Sequence, residues 1–233
     1  MKYIIMCGGK YKEFTTPKQL LKVNGEVLVE RTIRILKAYG IKDIAVSTNN
    51  PAFDYLDVPI LKHKNEYQYD SNEENRKSSN SWLNAYYPTE EPACYLNGDV
   101  YYSDEAIKTI IDTPVKDTMF FCTIDWTDGE KDRRNYKGRE PIAYKVENQK
   151  LFRSAINDLL KMIDDGKFAN GLAPVCWQLY RYINNKPIDF ETKNWTDINN
   201  IFKEAGDYIV INDYTTDVDH PEDVKVLEEW LKK

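Results

Sequence analysis

The sequence is short of the residues that build metal and redox centres. It has two histidines, His63 and His220, and four cysteines, Cys7, Cys94, Cys122 and Cys176, with no Cys-x-x-Cys spacing. A structural zinc would need histidines or further cysteines close by, so that class is set aside. Three of the cysteines lie in apolar, strand-like surroundings, which reads as buried free thiols in a reducing cytoplasm. No apolar run approaches the roughly 20 residues of a membrane-spanning helix. The short run at Tyr3–Met6 meets glycines instead of continuing as a signal-peptide core, so no membrane partner is expected. Repeats, low-complexity tracts and linkers are also missing. A net charge of −6 gives no overall field for a polyanion, so nucleic acid is not an expected partner. What the chain does have is core material: 42% hydrophobic residues and 13% aromatic ones over 233 positions suit one large folded domain.

Strand-like and helix-like segments alternate through the first half. Tyr3–Met6 reads as a buried strand, and Leu28–Ala38 as a helix with Val29, Ile33 and Leu36 at helical spacing, stopped by Gly40. Strands follow at Ile44–Ser47 and Pro59–Leu61, then a helix opened by Ser78 and Ser79 that ends before Pro88. Cys94–Leu96 is a strand ending in Asn97-Gly98-Asp99, Ser103–Ile111 a helix and Thr118–Thr123 a strand. Beyond the polar loop Trp126–Arg139, a strand is expected at Ile142–Val146, a helix over Leu151–Ile163 and a strand at Tyr208–Ile211. Leu172–Ile183 is ambiguous, and the C-terminal end is an amphipathic helix. The expected fold class is α/β: a single Rossmann-like three-layer domain over residues 1–233, with a mixed, mainly parallel sheet and a small inserted subregion near 126–200. Ligands of such sheets bind at the carboxyl ends of the strands, where Gly8-Gly9 and Asp99 share one rim.

The first of these loops is CGGKYKEFTTPKQL, residues Cys7 to Leu20. Glycines at a strand end let backbone N–H groups approach an anion, and Lys10, Lys12 and Lys18 supply charge. A P-loop fails here because no further glycine follows before Gly25, and a Rossmann fingerprint fails as well. A tight turn with solvated lysines is the plain alternative.

The order Gly8-Gly9, Pro17-Lys18-Gln19-Leu20, Val23-Asn24-Gly25-Glu26 and Leu28-Val29-Glu30-Arg31, running to Gly40-Ile41, resembles nucleotidylyltransferases with the nucleotide-diphospho-sugar transferase fold, cytidylyltransferase-like and MobA-like. Leu96-Asn97-Gly98-Asp99-Val100 resembles the strand-end Gly-Asp that supplies a metal ligand in that family. Asp217-Val218-Asp219-His220-Pro221-Glu222-Asp223 resembles the segment that opens its last helix. One departure stands out: the usual first loop is G-x-G-x-R, whereas Tyr11 and Glu13 fall at the second glycine and the arginine.

The resemblance implies Mg²⁺-dependent transfer of a nucleotidyl group from CTP to a small phosphorylated metabolite, releasing pyrophosphate. It further implies a cytoplasmic enzyme and a CDP-linked product for capsule or another surface polysaccharide. Lys18 would carry the charge stabilisation, with Lys10 or Lys12 in place of the missing arginine. Cys7, Gly8, Gly9, Arg76, Ser79 and Asp99 would line the nucleotide. Asp99 and Asp219 would hold the metal, with Asp217 as the substitute ligand. The loop residues Trp126, Arg133, Arg134, Lys137 and Arg139 would meet the acceptor phosphate. Each has a plainer reading: Asp99 as a turn residue, Asp219-x-x-Glu222 as a capping box, Ser79 as an N-cap and the basic loop as a solvated surface. The aromatic second half offers surface for a homodimer. A GTP- or UTP-using enzyme of the same fold, a glycosyltransferase and a non-catalytic nucleotide-binding relative are the alternatives.

Overall fold

The structure, a computed structural model, describes residues 1–8, 15–62, 85–123, 141–167, 175–188, 190–191, 208–219 and 221–232. Its centre is a seven-stranded sheet. The strands are β1 (Lys2–Met6), β4 (Ile44–Ser47), β5 (Ile60–Leu61), β6 (Ala93–Asn97), β8 (Thr118–Thr123), β9 (Pro141–Val146) and β10 (Tyr208–Ile211). They lie in the order β10-β8-β9-β6-β1-β4-β5. All neighbours run parallel except β9, which is antiparallel to both β6 and β8. Two short ribbons complete the strands: β2 (Lys22–Val23) with β3 (Glu26–Val27), and β7 (Val100–Tyr101) with β11 (Thr216–Asp217).

Helices cover both faces, which is why the central strands are apolar on both sides. In β1, Ile4 and Met6 pack with Phe152 and Ile156 of α3 (Gln149–Asp164) and Tyr180 of α4 (Val175–Ile183). The alternate residues Tyr3, Ile5 and Cys7 pack with Val29, Ile33 and Leu36 of α1 (Leu28–Ala38) and Ile107 and Ile110 of α2 (Asp104–Asp112). This is the expected three-layer α/β arrangement. The last helix, α5 (Pro221–Trp230), packs through Leu227 on a smaller cluster of Val23, Leu28, Tyr101 and Val218, beside the β7–β11 ribbon.

Local chemistry accounts for the boundaries. At the end of α1, Gly40 adopts φ 81°. Its N–H reaches the Lys37 carbonyl and the Ile41 N–H reaches Leu36, a Schellman closure. The Asn24-Gly25 pair, at φ 48° and 82°, makes the tight turn of the β2–β3 hairpin, a geometry that most side chains resist. Ser103 caps α2 by accepting the Ala106 N–H at 2.8 Å. At the other end of α2, the Lys145 ammonium, 7% exposed, donates to the carbonyls of Ile110, Ile111 and Thr113 at 3.0, 2.8 and 2.7 Å. A cation there satisfies carbonyls that the helix leaves unbonded.

The ambiguous segment 172–183 is helical over Val175–Ile183, and Tyr180 sits in the core with its ring edge-on to Phe120 and Tyr208. Cys7, Cys94 and Cys122 are free and buried. The Ser78–Ser79 helix start and the 126–139 loop lie outside the described residues. Among the described residues, no helix is long and apolar enough to cross a membrane.

Candidate active site at the carboxyl rim of the sheet

Three segments meet where β1 and β6 end. The first is a single turn of 3-10 helix, Lys18–Leu20, closed by Leu20 N–H to Pro17 and Leu21 N–H to Lys18. It presents Lys18 and Gln19 inward, at 9% and 3% exposure. The second is the Gly98-Asp99 turn after β6. Gly98 donates its N–H to the Met6 carbonyl at 2.9 Å. A Cβ on Gly98 would lie 2.6 Å from Cys7 Sγ and 2.7 Å from the Met6 carbonyl oxygen, so only glycine lets the turn close on β1. The third is the stretch after β11. Asp217 pairs with Val100, and the Val218 N–H reaches the Asp99 carbonyl at 2.9 Å. Asp219 is thereby carried alongside Asp99.

The result is one ammonium between two carboxylates. Lys18 Nζ lies 2.7 Å from Asp99 Oδ2 and 2.7 Å from Asp219 Oδ1. Burial alone would favour the neutral lysine, but the two carboxylates outweigh it and raise the Lys18 pKa above its ordinary value. Lys18 is therefore a fixed cation between two carboxylates. Cys7, against Gly98, is the opposite case: burial, reinforced by Asp99, pushes its thiol pKa well up, which favours the neutral thiol.

Both aspartates contact Lys18 from the turn and helix-entry positions that their plainer readings give them. Asp99 does sit in a turn, but its side chain serves Lys18. Asp219 precedes α5, and the carboxylate that reaches back is that of Asp223, which accepts the Asp219 N–H at 3.0 Å. Asp217 stands in β11, two residues earlier. Gly8 lies at the same rim, where the Gln19 side chain donates to its carbonyl at 3.2 Å. Sequence reading quoted Gln19 within its motif and gave it no role; its place beside Lys18 in Pro17-Lys18-Gln19-Leu20 was the available signal. Arg31, also quoted without a role, is structural. It donates to the Tyr102 carbonyl, Glu26 and Asp104, and stacks 4.5 Å from the Tyr101 ring centre. Gly9, Lys10, Lys12, Arg76, Ser79, Trp126, Arg133, Arg134, Lys137 and Arg139 lie outside the described residues.

A Mg²⁺ ion takes hard oxygen donors, characteristically one or two carboxylates together with phosphate oxygens and water. Asp99 and Asp219 fit that donor set. Among the described residues, no group of three or more His, Cys, Asp or Glu side chains is arranged to hold a metal ion. At this point the described residues bring two carboxylates together, and a complete shell needs further oxygens.

The family model of the MobA-like NTP transferase domain matches residues 3–117, which include Lys18 and Asp99. The fold is shared with solved structures across nearly the whole chain. One is a hypothetical transferase from Thermus thermophilus, at TM-score 0.54 and 16% identity, covering 96% of this chain and 100% of that one. Another is the 4-diphosphocytidyl-2C-methyl-D-erythritol synthase of Anaerococcus prevotii, at TM-score 0.50 and 16% identity, covering 100% and 98%. At that identity the likeness is one of fold. No curated protein matches the chain. The Lys18 cluster thus falls partly inside the matched NTP transferase domain and partly in the segment before α5 that completes it.

Proposed function

We propose that this chain, as a single domain over residues 1–233, is a Mg²⁺-dependent nucleotidylyltransferase joining CTP to a small phosphorylated metabolite. The observation that carries the reading is the convergence of Lys18, Asp99 and Asp219 at the rim, within a fold whose family handles nucleoside triphosphates. In the reaction, a phosphate oxygen of the acceptor attacks the α-phosphorus. The bond from that phosphorus to the α–β bridging oxygen breaks, and pyrophosphate leaves. The protein's task is to bring two anions together in line, so neutralisation and positioning dominate. Lys18, charged and nearly buried, meets the negative charge that grows on the α-phosphate. Asp99 and Asp219 would hold a Mg²⁺, which would supply neutralisation of phosphate charge. Gly8 and Gly9 give the triphosphate a close backbone approach, with Gln19 fixing the Gly8 carbonyl. Lys10, Lys12, Arg76 and Ser79 complete the nucleotide side. Trp126, Arg133, Arg134, Lys137 and Arg139 receive the acceptor phosphate.

Cytidine is favoured by the sequence resemblance and by the cytidylyl product in the name of one fold neighbour. The test is pyrophosphate release with Mg²⁺, arraying four ribonucleoside triphosphates against phosphorylated alditols, sugars, choline and ethanolamine. Release with CTP and one acceptor, abolished by Asp99→Ala and Lys18→Ala, is expected. Release with GTP or UTP alone would move the base assignment. Release surviving both substitutions would place the chemistry elsewhere. Mg²⁺-dependent CTP binding without release under any pairing would favour a non-catalytic relative.

A further inference from the structure

The donors that Lys18 occupies are the same donors a divalent cation needs. We infer that Lys18 is a specificity-determining residue: it keeps the Asp99–Asp219 pair closed to free divalent cations and yields it only to a cation that arrives with a triphosphate. The inference deepens the nucleotidylyltransferase reading above and rests on it only for the identity of the anion.

Geometry provides the first argument. Both carboxylate oxygens lie 2.7 Å from one nitrogen, so they converge on the point where a shared cation would be held. Lys18 fills that point with a single positive charge. The second argument is coordination. Two carboxylates are too few for a complete oxygen shell, and the described residues offer no cluster of three. The missing oxygens come with phosphate and water.

Charge compensation provides the third argument, and it separates free ion from complex. To admit a free ion, the ammonium must give up both carboxylates, although its side chain is only 10% exposed and has little water to turn to. For a nearly buried cation, giving up two carboxylate partners is strongly unfavourable. When the cation comes bound to a triphosphate, the displaced ammonium meets phosphate oxygens, and its charge is compensated again. Lys18 thus trades two carboxylates for one polyanion. A free ion offers it no such exchange.

The experiment titrates the full chain with Mn²⁺ in the absence of nucleotide, counting free ion by electron paramagnetic resonance. Wild type is expected to show no saturable site that Asp99→Asn removes. Lys18→Met is expected to gain one saturable site. Lys18→Met with Asp99→Asn should lose the gain, and Lys18→Arg, which keeps the charge, should stay closed. A saturable wild-type site abolished by Asp99→Asn would overturn the inference, and so would a folded Lys18→Met that gains nothing. If Lys18→Met does not fold, Lys18→Gln is titrated in its place against the same expectations. No nucleotide enters this assay, so its failure is distinguishable from failure of the pyrophosphate test.

Discussion

The backbone N–H of Val218 donates to the carbonyl of Asp99 at 2.9 Å. This bond adds a rung to the ribbon in which Thr216 faces Tyr101 and Asp217 faces Val100. Two carboxylates from distant parts of the sequence are therefore placed by main-chain hydrogen bonds, and Lys18 reaches both from a third segment. Val218 is itself anchored in the cluster with Leu227, Tyr101, Val23 and Leu28. Changes of charge at the site should consequently leave its backbone frame in place.

Gly98→Ala tests the closure of the β6 turn on β1. The added Cβ meets Cys7 Sγ at 2.6 Å and the Met6 carbonyl oxygen at 2.7 Å. A side chain could yield, but a carbonyl in a central strand yields poorly. A loss of about 2 kcal/mol in urea unfolding is expected, typical of overpacking in a well-filled core. Adding Cys7→Ala should recover only part of it, because the Met6 contact remains. A wild-type midpoint for Gly98→Ala would show that the turn has slack.

Gln19→Glu keeps the shape of a buried side chain, removes the donor that holds the Gly8 carbonyl and adds negative charge close to Gly98. If Gln19 positions the glycine loop for the triphosphate, KM for the nucleotide rises more than kcat falls. A loss of about tenfold in kcat/KM is expected, about 1.4 kcal/mol of transition-state stabilisation. Equal loss in Gln19→Met would tie the effect to the hydrogen bond. An unchanged KM in both would reduce Gln19 to packing.

The Glu26 cluster predicts an acid-side dependence. Glu26 accepts two hydrogen bonds from Arg34, at 2.6 and 3.0 Å, and one from Arg31 at 3.2 Å. The Arg34 bonds chiefly, then those from Arg31, hold its carboxyl below the ordinary 4.5 against the opposing effect of burial. A depressed native value means that the carboxylate contributes stability above the unfolded pKa and loses it as pH falls through the folded one. The Tm gap between wild type and Glu26→Gln should be widest at neutral pH and narrow below pH 4.5. A gap that persists unchanged in acid would mean that packing, not charge, holds the cluster.

Much of the frame was legible in the sequence because its strands are buried on both faces and read as continuous apolar runs. Leu28–Ala38, Ile44–Ser47, Thr118–Thr123 and Tyr208–Ile211 fall where periodicity placed them. The antiparallel direction of β9 was not legible, since direction depends on pairing and leaves no trace in a buried strand's own composition. The β2–β3 hairpin carried its signal openly in Asn24-Gly25. Lys18, Asp99 and Asp219 could each be singled out by chemistry and resemblance. Their mutual contact could not, because it depends on a two-residue ribbon too short to show a period.

That ribbon also makes the two late aspartates separable. Asp217 lies in β11 opposite Val100, whereas Asp219 has left the ribbon and contacts Lys18 at 2.7 Å. Neighbours of one register position point to opposite sides of a strand, but Asp217 and Asp219 are two apart. Alternation therefore does not distinguish them; contact with the ammonium does. Asp219→Asn keeps the shape and removes the charge that pairs with Lys18 and that, in the proposed reaction, would meet the Mg²⁺. A loss of about 100-fold or more in kcat is expected, the scale found when one electrostatic partner of a reacting phosphate is removed. Asp217→Asn should fall well short of that, with KM for the acceptor unchanged. If the two losses were equal, both carboxylates would have to engage the cation in the working complex. If Asp217→Asn were the worse of the two, the segment would have to shift by two residues against Asp99 when substrate binds, breaking the Val218 bond.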